Sequence, residues 1–364
     1  MTDRMYLVTA PGLETALADE ARAAGFRDVT PGIGGVEVTG GWPEVWRANL
    51  VLRGAVRVLA RVAEFRAMHL AQLDKRARKV DWAAILRPDV PVRVEATCRK
   101  SRIYHDKAAA QRVERAIAEG IGAPLGPGGI GIKLRIEDDL CTISIDTSGE
   151  SLHKRGFKGF TGKAPMRETL AALILRQMGF DGTQAVVDPM CGSGTLVIEA
   201  AEIAAGLHPG RGRDFAFERL ASFDPAGFAA LKTAPQGSPA LRFFGSDRDQ
   251  GAIAGASANA EKAGVSAWCR FTRAPVSDLV APEGVPPGLL LANPPWGARI
   301  GERKLLFALY GALGQRLTAG FKGWRVGLIS PDAGLVKATG LGLTALGAPI
   351  DMGGTRVTLW QGTV

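Results

Sequence analysis

From residue 166 onward, short apolar segments alternate with helical patterns, and this alternation constrains the fold more than any other feature of the sequence. Helical patterns cover 166–179, 195–205 and 250–263, and buried-strand patterns cover 185–187 and 241–245. Strands that alternate with helices favour a parallel sheet with helices on both faces. The sequence therefore predicts an α/β fold for this part, with a mostly parallel, Rossmann-like sheet.

The N-terminal half has an α+β pattern instead. Strand patterns at 34–39 and 92–98 alternate irregularly with helical patterns at 12–25 and 107–119. A segment rich in glycine and lysine, 151–165, separates the two halves. We expect a domain boundary and a linker there.

The charge of the chain indicates a polyanionic partner. Its 45 Lys and Arg residues exceed its 36 Asp and Glu residues, which gives a formal net charge of +9. Basic residues bind nucleic acids because they neutralise phosphates and release counterions. Basicity that serves solubility alone remains an alternative.

The stretch 210–239 has no clear pattern and is interpreted as an inserted loop with one helix.

The cysteines and the apolar runs exclude several classes of protein. Cys98, Cys141, Cys191 and Cys269 are far apart and form no C-x-x-C pair, so neither a disulfide framework nor a metal site is expected. No apolar run approaches the roughly 20 residues that cross a bilayer, and the N-terminus lacks the apolar core of a secretory signal. We expect a cytoplasmic, monomeric protein without a membrane span.

The first motif is a strand that ends in an acid and a glycine-rich turn, read as Val187, Asp188, Pro189, Met190, Cys191, Gly192, Ser193, Gly194, Thr195. At the carboxyl end of a parallel strand such a turn meets ligands, and glycine lets a ligand approach the backbone. The third glycine of a dinucleotide fingerprint and the lysine of a P-loop are both missing. The turn therefore predicts a nucleoside-containing cofactor of another kind.

Two further acids follow in the order that a nucleoside site requires. Asp247 ends the next strand pattern, where a carboxylate can accept both hydroxyls of a ribose. Asp278 lies shortly after the segment 270–274 and could accept from an adenine amino group. Each acid taken alone is better explained as a helix cap or a surface charge, and it is their order after a glycine turn that favours a nucleoside site.

The fourth motif is the tetrapeptide Asn293, Pro294, Pro295, Trp296, directly after an apolar strand pattern. Its prolines remove backbone donors and leave carbonyl oxygens directed outward. The Asn293 side-chain oxygen and the Pro294 carbonyl could hold the two protons of a planar amino group, and Trp296 could stack on the ring that carries it. A turn that merely ends a strand is the structural alternative.

These motifs resemble, in order and content, class I methyltransferases that use S-adenosylmethionine and act on amino groups of bases. The blocks 151–157, 164–172 and 188–195 are also similar to those of bacterial 23S rRNA guanine-N2 methyltransferases and related THUMP-containing tRNA enzymes. The resemblance implies a ferredoxin-like piece at 1–43, a THUMP RNA-binding domain at 44–150, and a methyltransferase domain at 166–364.

The resemblance also implies the roles of individual residues. The target amino group would be held by Asn293, Pro294, Pro295 and Trp296. The cofactor would be held by Asp188, Pro189, Cys191, Gly192, Ser193, Gly194, Thr195, Asp247, Asp278 and Asn293. Structured RNA would be contacted by Arg99, Lys100, Arg102, Tyr104 and Lys107. A solvated basic face is the alternative interpretation of these five residues. A departure is Trp296, where tyrosine or phenylalanine is more usual.

Five functions remain open on the sequence alone. N2-methylation of guanine in 23S rRNA is the leading hypothesis, and tRNA is the alternative RNA. An N6-adenine methyltransferase would use the same tetrapeptide, as would a glutamine methyltransferase acting on proteins, although the latter would not need the basic charge. The remaining alternative is an inactive RNA-binding assembly factor.

Overall fold

The computed structural model describes residues 3–161, 166–233, 237–240, 242–297 and 303–364. The described chain divides into two compact units. One comprises residues 1–9, 18–152 and 213–233, and the other comprises 10–17, 153–212 and 234–364. The domain boundaries expected from the sequence stay predictions, and residues 162–165 of the expected linker lie outside the described residues.

The first unit is built on an α+β pattern. Its strands are β1 (Arg4–Val8), β2 (Arg27–Gly32), β3 (Gly35–Thr39), β4 (Arg57–Arg66), β5 (Val92–Arg99), β6 (Ile130–Glu137) and β7 (Leu140–Asp146). Helix α1 (Glu14–Ala23) begins in the other unit, and α2 (Trp42–Val51), α3 (Leu70–Ala77) and α4 (Asp106–Ile121) follow. Among the described residues these strands form one sheet in the order β2-β3-β1-β4-β7-β6-β5.

Strand β2 was not expected from the sequence. Its six residues, Arg-Asp-Val-Thr-Pro-Gly, have no apolar alternation, and most of them are exposed. It forms the edge of the sheet and pairs with β3. Proline is tolerated in an edge strand because the side that lacks an N–H donor faces solvent and not another strand. Pairing with β3, and not the local sequence pattern, therefore forms this strand.

Residues 213–233 belong to the first unit although they follow α6 (Thr195–Ala204) of the second in sequence. They contain a 3₁₀ turn (Ala216–Arg219) and α7 (Pro225–Leu231). The rings of Phe217 and Phe228 lie 5.0 Å apart, and Phe223 lies edge-on to Trp46 at 5.7 Å. Within the stretch interpreted as an inserted loop with one helix, residues 217–228 are thus held by aromatic packing.

The second unit holds the strand and helix alternation that the sequence predicted. Its further helices are α5 (Glu168–Gln177), α8 (Gln250–Ala263), α9 (Arg303–Gly320) and α10 (Ala333–Lys337). Its strands are β8 (Val186–Asp188), β9 (Phe243–Asp247), β10 (Cys269–Arg273), β11 (Leu289–Ala292), β12 (Arg325–Ser330), β13 (Thr344–Met352) and β14 (Thr355–Thr363). The strand expected at 241–245 begins at Phe243, and residue 241 lies outside the described residues.

The described strands of this unit form a mostly parallel sheet in the order β10-β9-β8-β11-β12-β14-β13. Strands β8 to β12 run parallel, whereas β14 is antiparallel to both of its neighbours. The chain builds outward from β8 through β9 to β10 and then starts the other half at β11. The order therefore reverses between β8 and β11, and ligands bind outside the carboxyl ends of strands at such a point.

In the part of the chain that the structure describes, none of the helices combines the length and the apolar character that crossing a bilayer requires.

Candidate active site at the reversal of the strand order

The first predicted acid, Asp188, ends β8 and is buried, with 3% of its surface exposed. Its Oδ1 accepts a hydrogen bond from the Met190 N–H at 3.0 Å. Burial, together with the neighbouring Asp247 carboxylate, raises the pKa of the Asp188 carboxyl to about 7. The end of β8 thus carries a carboxyl group whose charge is costly without a cationic partner.

The glycine turn that follows has one packed side and one open side. Gly192 and Gly194 both have positive φ, at 52° and 79°, which favours glycine. A Cβ at Gly194 would lie 3.0 Å from Ala256 and 3.1 Å from Phe271, whereas a Cβ at Gly192 would meet nothing within 4 Å. The backbone at Gly192 is therefore accessible to a ligand.

The second predicted acid, Asp247, lies against this turn. Its Oδ2 accepts from the Gly192 N–H at 3.1 Å, and its Oδ1 accepts from the Asp249 N–H at 3.0 Å. Strands β8 and β9 are adjacent and parallel, so their carboxyl ends meet at the same edge. The structure thus joins two motifs that lie more than fifty residues apart in sequence.

The third predicted acid, Asp278, is exposed at the end of a 3₁₀ turn (Val276–Asp278) after β10. Its Oδ1 accepts from the Ser277 hydroxyl at 3.0 Å. An open cleft adjoins this region and is lined by Arg248, Asp249, Arg273 and Pro275. Sequence reasoning did not select Arg248 and Arg273, although each follows or ends a strand whose carboxyl end lies at this edge.

The remaining predicted residues of the turn are mostly buried. Pro189, Cys191, Ser193 and Thr195 have little exposed surface, and the Ser193 and Thr195 hydroxyl oxygens lie 3.2 Å apart. Burial and the nearby Asp188 and Asp247 carboxylates raise the pKa of the Cys191 thiol. A thiol that stays protonated is a poor nucleophile, so Cys191 acts as a small packing residue.

The tetrapeptide 293–296 follows β11, whose four residues are all buried. The Trp296 indole N–H donates to the Asn293 Oδ1 at 3.4 Å. Trp296 is partly buried and packs against Tyr310, Leu335 and Val336. Because β11 pairs with β8, the tetrapeptide and Asp188 flank the point where the strand order reverses.

The predicted RNA-contacting residues lie at the end of β5 and the start of α4. All five are exposed: Arg99, Lys100, Arg102, Tyr104 and Lys107. Tyr104 is 72% exposed and its ring lies 4.3 Å from that of His105. Arg102 lies 4.0 Å from the Asp139 carboxylate. The structure thus gathers these residues at one strand-to-helix junction.

Among the described residues, no cluster of three or more His, Cys, Asp or Glu side chains has the arrangement of a metal site.

The chain is similar to known protein families. The family UPF0020, described as an RMKL-like methyltransferase domain, matches residues 155–344, which is more than half of the chain. The chain belongs to the RMKL-like methyltransferase family. A second family, the RlmL ferredoxin-like domain, matches residues 4–59. The predicted resemblance and the ferredoxin-like N-terminal part are both confirmed.

Individual relatives agree with this assignment. The ribosomal RNA large subunit methyltransferase K/L of Syntrophotalea carbinolica is 37% identical over 358 residues, which cover 92% of this chain and 50% of that protein. The chain thus spans about half the length of the curated relatives it matches.

Two solved structures are similar to this chain over almost its whole length. One is a Listeria monocytogenes protein described as a predicted N6-adenine-specific DNA methylase, with 27% identity, a TM-score of 0.89, and coverage of 99% of this chain and 96% of that one. The other is SMU.472 in complex with S-adenosylhomocysteine, with 26% identity, a TM-score of 0.88, and coverage of 99% and 97%. The predicted class I methyltransferase fold is confirmed.

Proposed function

We propose that this chain is an S-adenosylmethionine-dependent RNA methyltransferase that forms N2-methylguanosine in 23S rRNA. The observation that carries the proposal is the position of the tetrapeptide 293–296 beside Asp188, where the strand order reverses. The family, and a relative named for methylation of large-subunit ribosomal RNA, support RNA as the substrate.

The residues around the glycine turn fit this cofactor. S-adenosylmethionine carries an α-ammonium and a sulfonium, and positive charge relieves the cost of ionising the buried Asp188 next to Asp247. The open space at Gly192 lets a ligand reach the backbone. The α-ammonium and the sulfonium together outweigh the single α-carboxylate of the methionine end, so this net positive end suits the paired Asp188 and Asp247 carboxylates better than an anionic cofactor does.

Each predicted residue has a part in that binding. The methionine end is held by Asp188, Pro189, Cys191, Gly192, Ser193, Gly194 and Thr195. Asp247 accepts the ribose hydroxyls, and Asp278 accepts from the adenine amino group. The cleft beside Arg248 and Arg273 would receive the adenine ring. Asn293 would contribute to holding the cofactor as well as the target base.

When bound, the cofactor supplies an electrophilic methyl group on its sulfonium. The Asn293 Oδ1 and the Pro294 carbonyl accept the two protons of the guanine amino group and sharpen its lone pair. Asn293 keeps this capacity because a carbonyl oxygen has two acceptor positions, of which Trp296 uses one. Trp296 would orient the base, so that the amino nitrogen could accept the methyl group directly and release one proton to water, without a covalent intermediate on the protein.

The N-terminal half binds the RNA. We propose a ferredoxin-like piece at 1–43, a THUMP domain at 44–150 and a linker at 151–165 before the methyltransferase domain at 166–364. Arg99, Lys100, Arg102, Tyr104 and Lys107 contact phosphates and an unpaired base. The protein acts as a monomer in the cytoplasm, where bacterial ribosomal RNA is made.

A specific observation favours a second candidate. The Listeria monocytogenes structure that matches nearly the whole chain is described as a predicted N6-adenine-specific DNA methylase, and the same tetrapeptide can hold an adenine amino group. Guanine in tRNA is the other candidate substrate.

The deciding experiment incubates the protein with labelled S-adenosylmethionine and separated pools of 23S rRNA, tRNA and DNA, and then identifies the labelled nucleoside. N2-methylguanosine in 23S rRNA is expected. Labelled N6-methyladenosine, or label in DNA alone, contradicts the guanine assignment. The Asn293→Ala variant should lose transfer by about 100-fold or more while it still binds RNA. Full activity in that variant would mean that the tetrapeptide is scaffolding.

A further inference from the structure

Asn259 lies in α8 with only 1% of its surface exposed, yet its side-chain amide is fully bonded. Its Oδ1 accepts from the N–H groups of Gly159 and Phe160 at 3.0 and 3.1 Å. Its Nδ2 donates to the carbonyl oxygens of Phe160 and Ser193 at 2.9 and 3.1 Å. Four hydrogen bonds use the whole capacity of an amide side chain, so Asn259 links α8, the segment 157–161 and the glycine turn.

The segment 157–161, here called the arm, lies along one face of α8. Gly255, Asn259 and Lys262 are spaced four and three residues apart, so they share that face. A Cβ at Gly255 would come within 2.2 Å of the Phe160 ring, and a Cβ at Gly159 would come within 2.7 Å of the Lys262 Nζ. Gly255 therefore makes room for the arm.

Lys158 fixes the arm at a second place. Its Nζ donates to the Thr195 hydroxyl at 2.9 Å and to the Met166 carbonyl at 3.0 Å, and it lies 2.9 Å from the Glu168 carboxylate. Thr195 is the first residue of α6, directly after the glycine turn. The turn is thus tied to the arm on both sides, through Ser193 by Asn259 and through Thr195 by Lys158.

These ties matter because the turn has little to define it locally. Gly192 and Gly194 have positive φ and can adopt many other conformations. The bond from Asn259 fixes the peptide plane at Ser193, and the bond to Asp247 fixes the one at Gly192. A turn that is held before the ligand arrives loses less conformational entropy on binding.

We propose that Asn259 is a positioning residue: by pinning the arm and the Ser193 peptide together, it preorganises the glycine turn for the methionine end of the cofactor. The inference rests on the proposed function, because that proposal makes the turn the cofactor site. Asn259 itself touches neither reactant. Its effect is therefore expected in the binding of the cofactor and in the order of the turn before binding.

The Asn259→Ala variant tests this inference in two measurements. Amide hydrogen exchange of the cofactor-free protein should be faster at Gly159, Phe160 and Gly194 than in the wild type. Calorimetry with S-adenosylmethionine should then give a Kd raised by about tenfold or more, which corresponds to about 1.4 kcal/mol. In kinetics the KM for S-adenosylmethionine should rise, while the KM for RNA stays the same.

Asn49 provides a matched control. It is also 1% exposed, donates to the Val45 carbonyl and the Thr147 hydroxyl at 2.9 Å each, and accepts from the Ser148 hydroxyl at 2.6 Å. It belongs to the first unit. Asn49→Ala should destabilise the protein by a similar amount and leave the affinity for S-adenosylmethionine unchanged. An equal loss of affinity in both variants overturns the inference.

A second variant guards against a merely unfolded protein. Gly255→Ala leaves Asn259 intact and favours the helix by about 1 kcal/mol, but its methyl group displaces the Phe160 ring. We expect an unchanged or higher Tm together with a raised Kd for S-adenosylmethionine.

The outcomes separate the two proposals. Wild-type affinity in both the Asn259→Ala and the Gly255→Ala variants overturns the positioning role alone. A wild-type protein that does not bind S-adenosylmethionine overturns the proposed function, and the positioning role with it.

Discussion

The indole N–H of Trp296 donates to the Oδ1 of Asn293 across 3.4 Å. A phenylalanine at this position would have no such donor. Any aromatic ring at this position provides a stacking surface. Tryptophan in addition orients the Asn293 amide through its N–H.

Trp296→Phe separates these two contributions. It keeps an aromatic face but removes the donor, so the Asn293 amide loses one constraint. We expect kcat to fall by about fivefold, the equivalent of about 1 kcal/mol for one hydrogen bond, with the KM for RNA nearly unchanged. Steady-state methyl transfer to RNA measures both values. A fall in kcat no smaller than that of Trp296→Ala would show that the ring face contributes nothing.

Gly194→Ala should destabilise the protein more than Gly264→Ala does. Both glycines have similar positive φ, 79° and 74°, so both substitutions carry the same backbone strain of about 1–2 kcal/mol. At Gly194 the new methyl group also meets Ala256 and Phe271, whereas at Gly264 it meets nothing within 4 Å. Urea unfolding of the two variants measures the difference, and equal free energies of unfolding would argue against a packed turn.

Asp188 predicts a pH dependence of stability. Burial raises its pKa to about 7 in the folded protein, above the value of about 3.9 in the unfolded chain. The folded state then holds more protons between these values, so this contribution is fully present below about pH 4 and is lost as the pH rises through about 7. The slope approaches about 1.4 kcal/mol per pH unit.

Asp188→Asn removes that titration. Its free energy of unfolding should exceed that of the wild type at pH 8 and depend less on pH between 5 and 8, as chemical denaturation at each pH measures. Parallel pH profiles of the two proteins would contradict the raised pKa of Asp188.

Lys107→Ala should weaken RNA binding evenly across sequences. Its exposed ammonium lies at the start of α4 beside the other predicted contacts, and one lost phosphate contact reduces the slope of log K against log salt by about one. Arg87→Ala is the control, because Arg87 is an exposed cation of the same unit that pairs with Asp89 at 2.8 Å. Filter binding at several salt concentrations compares them, and the same slope in all three proteins would exclude Lys107 from the interface.

The sequence predicted the parts of the molecule in which local pattern and tertiary role agree. These parts are the alternation of strands and helices from residue 166, the glycine turn after β8 and the tetrapeptide after β11. All three could be predicted, because a buried strand is apolar and the turn that ends it is polar. Strand β2 could not be predicted, because this polar edge strand forms only through its pairing with β3.

The tertiary structure decided which of these parts meet. Sequence order placed Asp188, Asp247 and Asn293 at strand ends, but only the parallel pairing of β8 with β9 and with β11 brings those ends to one edge. Asn259 is one of several polar residues in α8, and nothing in the local sequence distinguishes it. Its four hydrogen bonds arise from segments about a hundred and about sixty-six residues away, and such long-range contacts leave no periodic pattern in the chain.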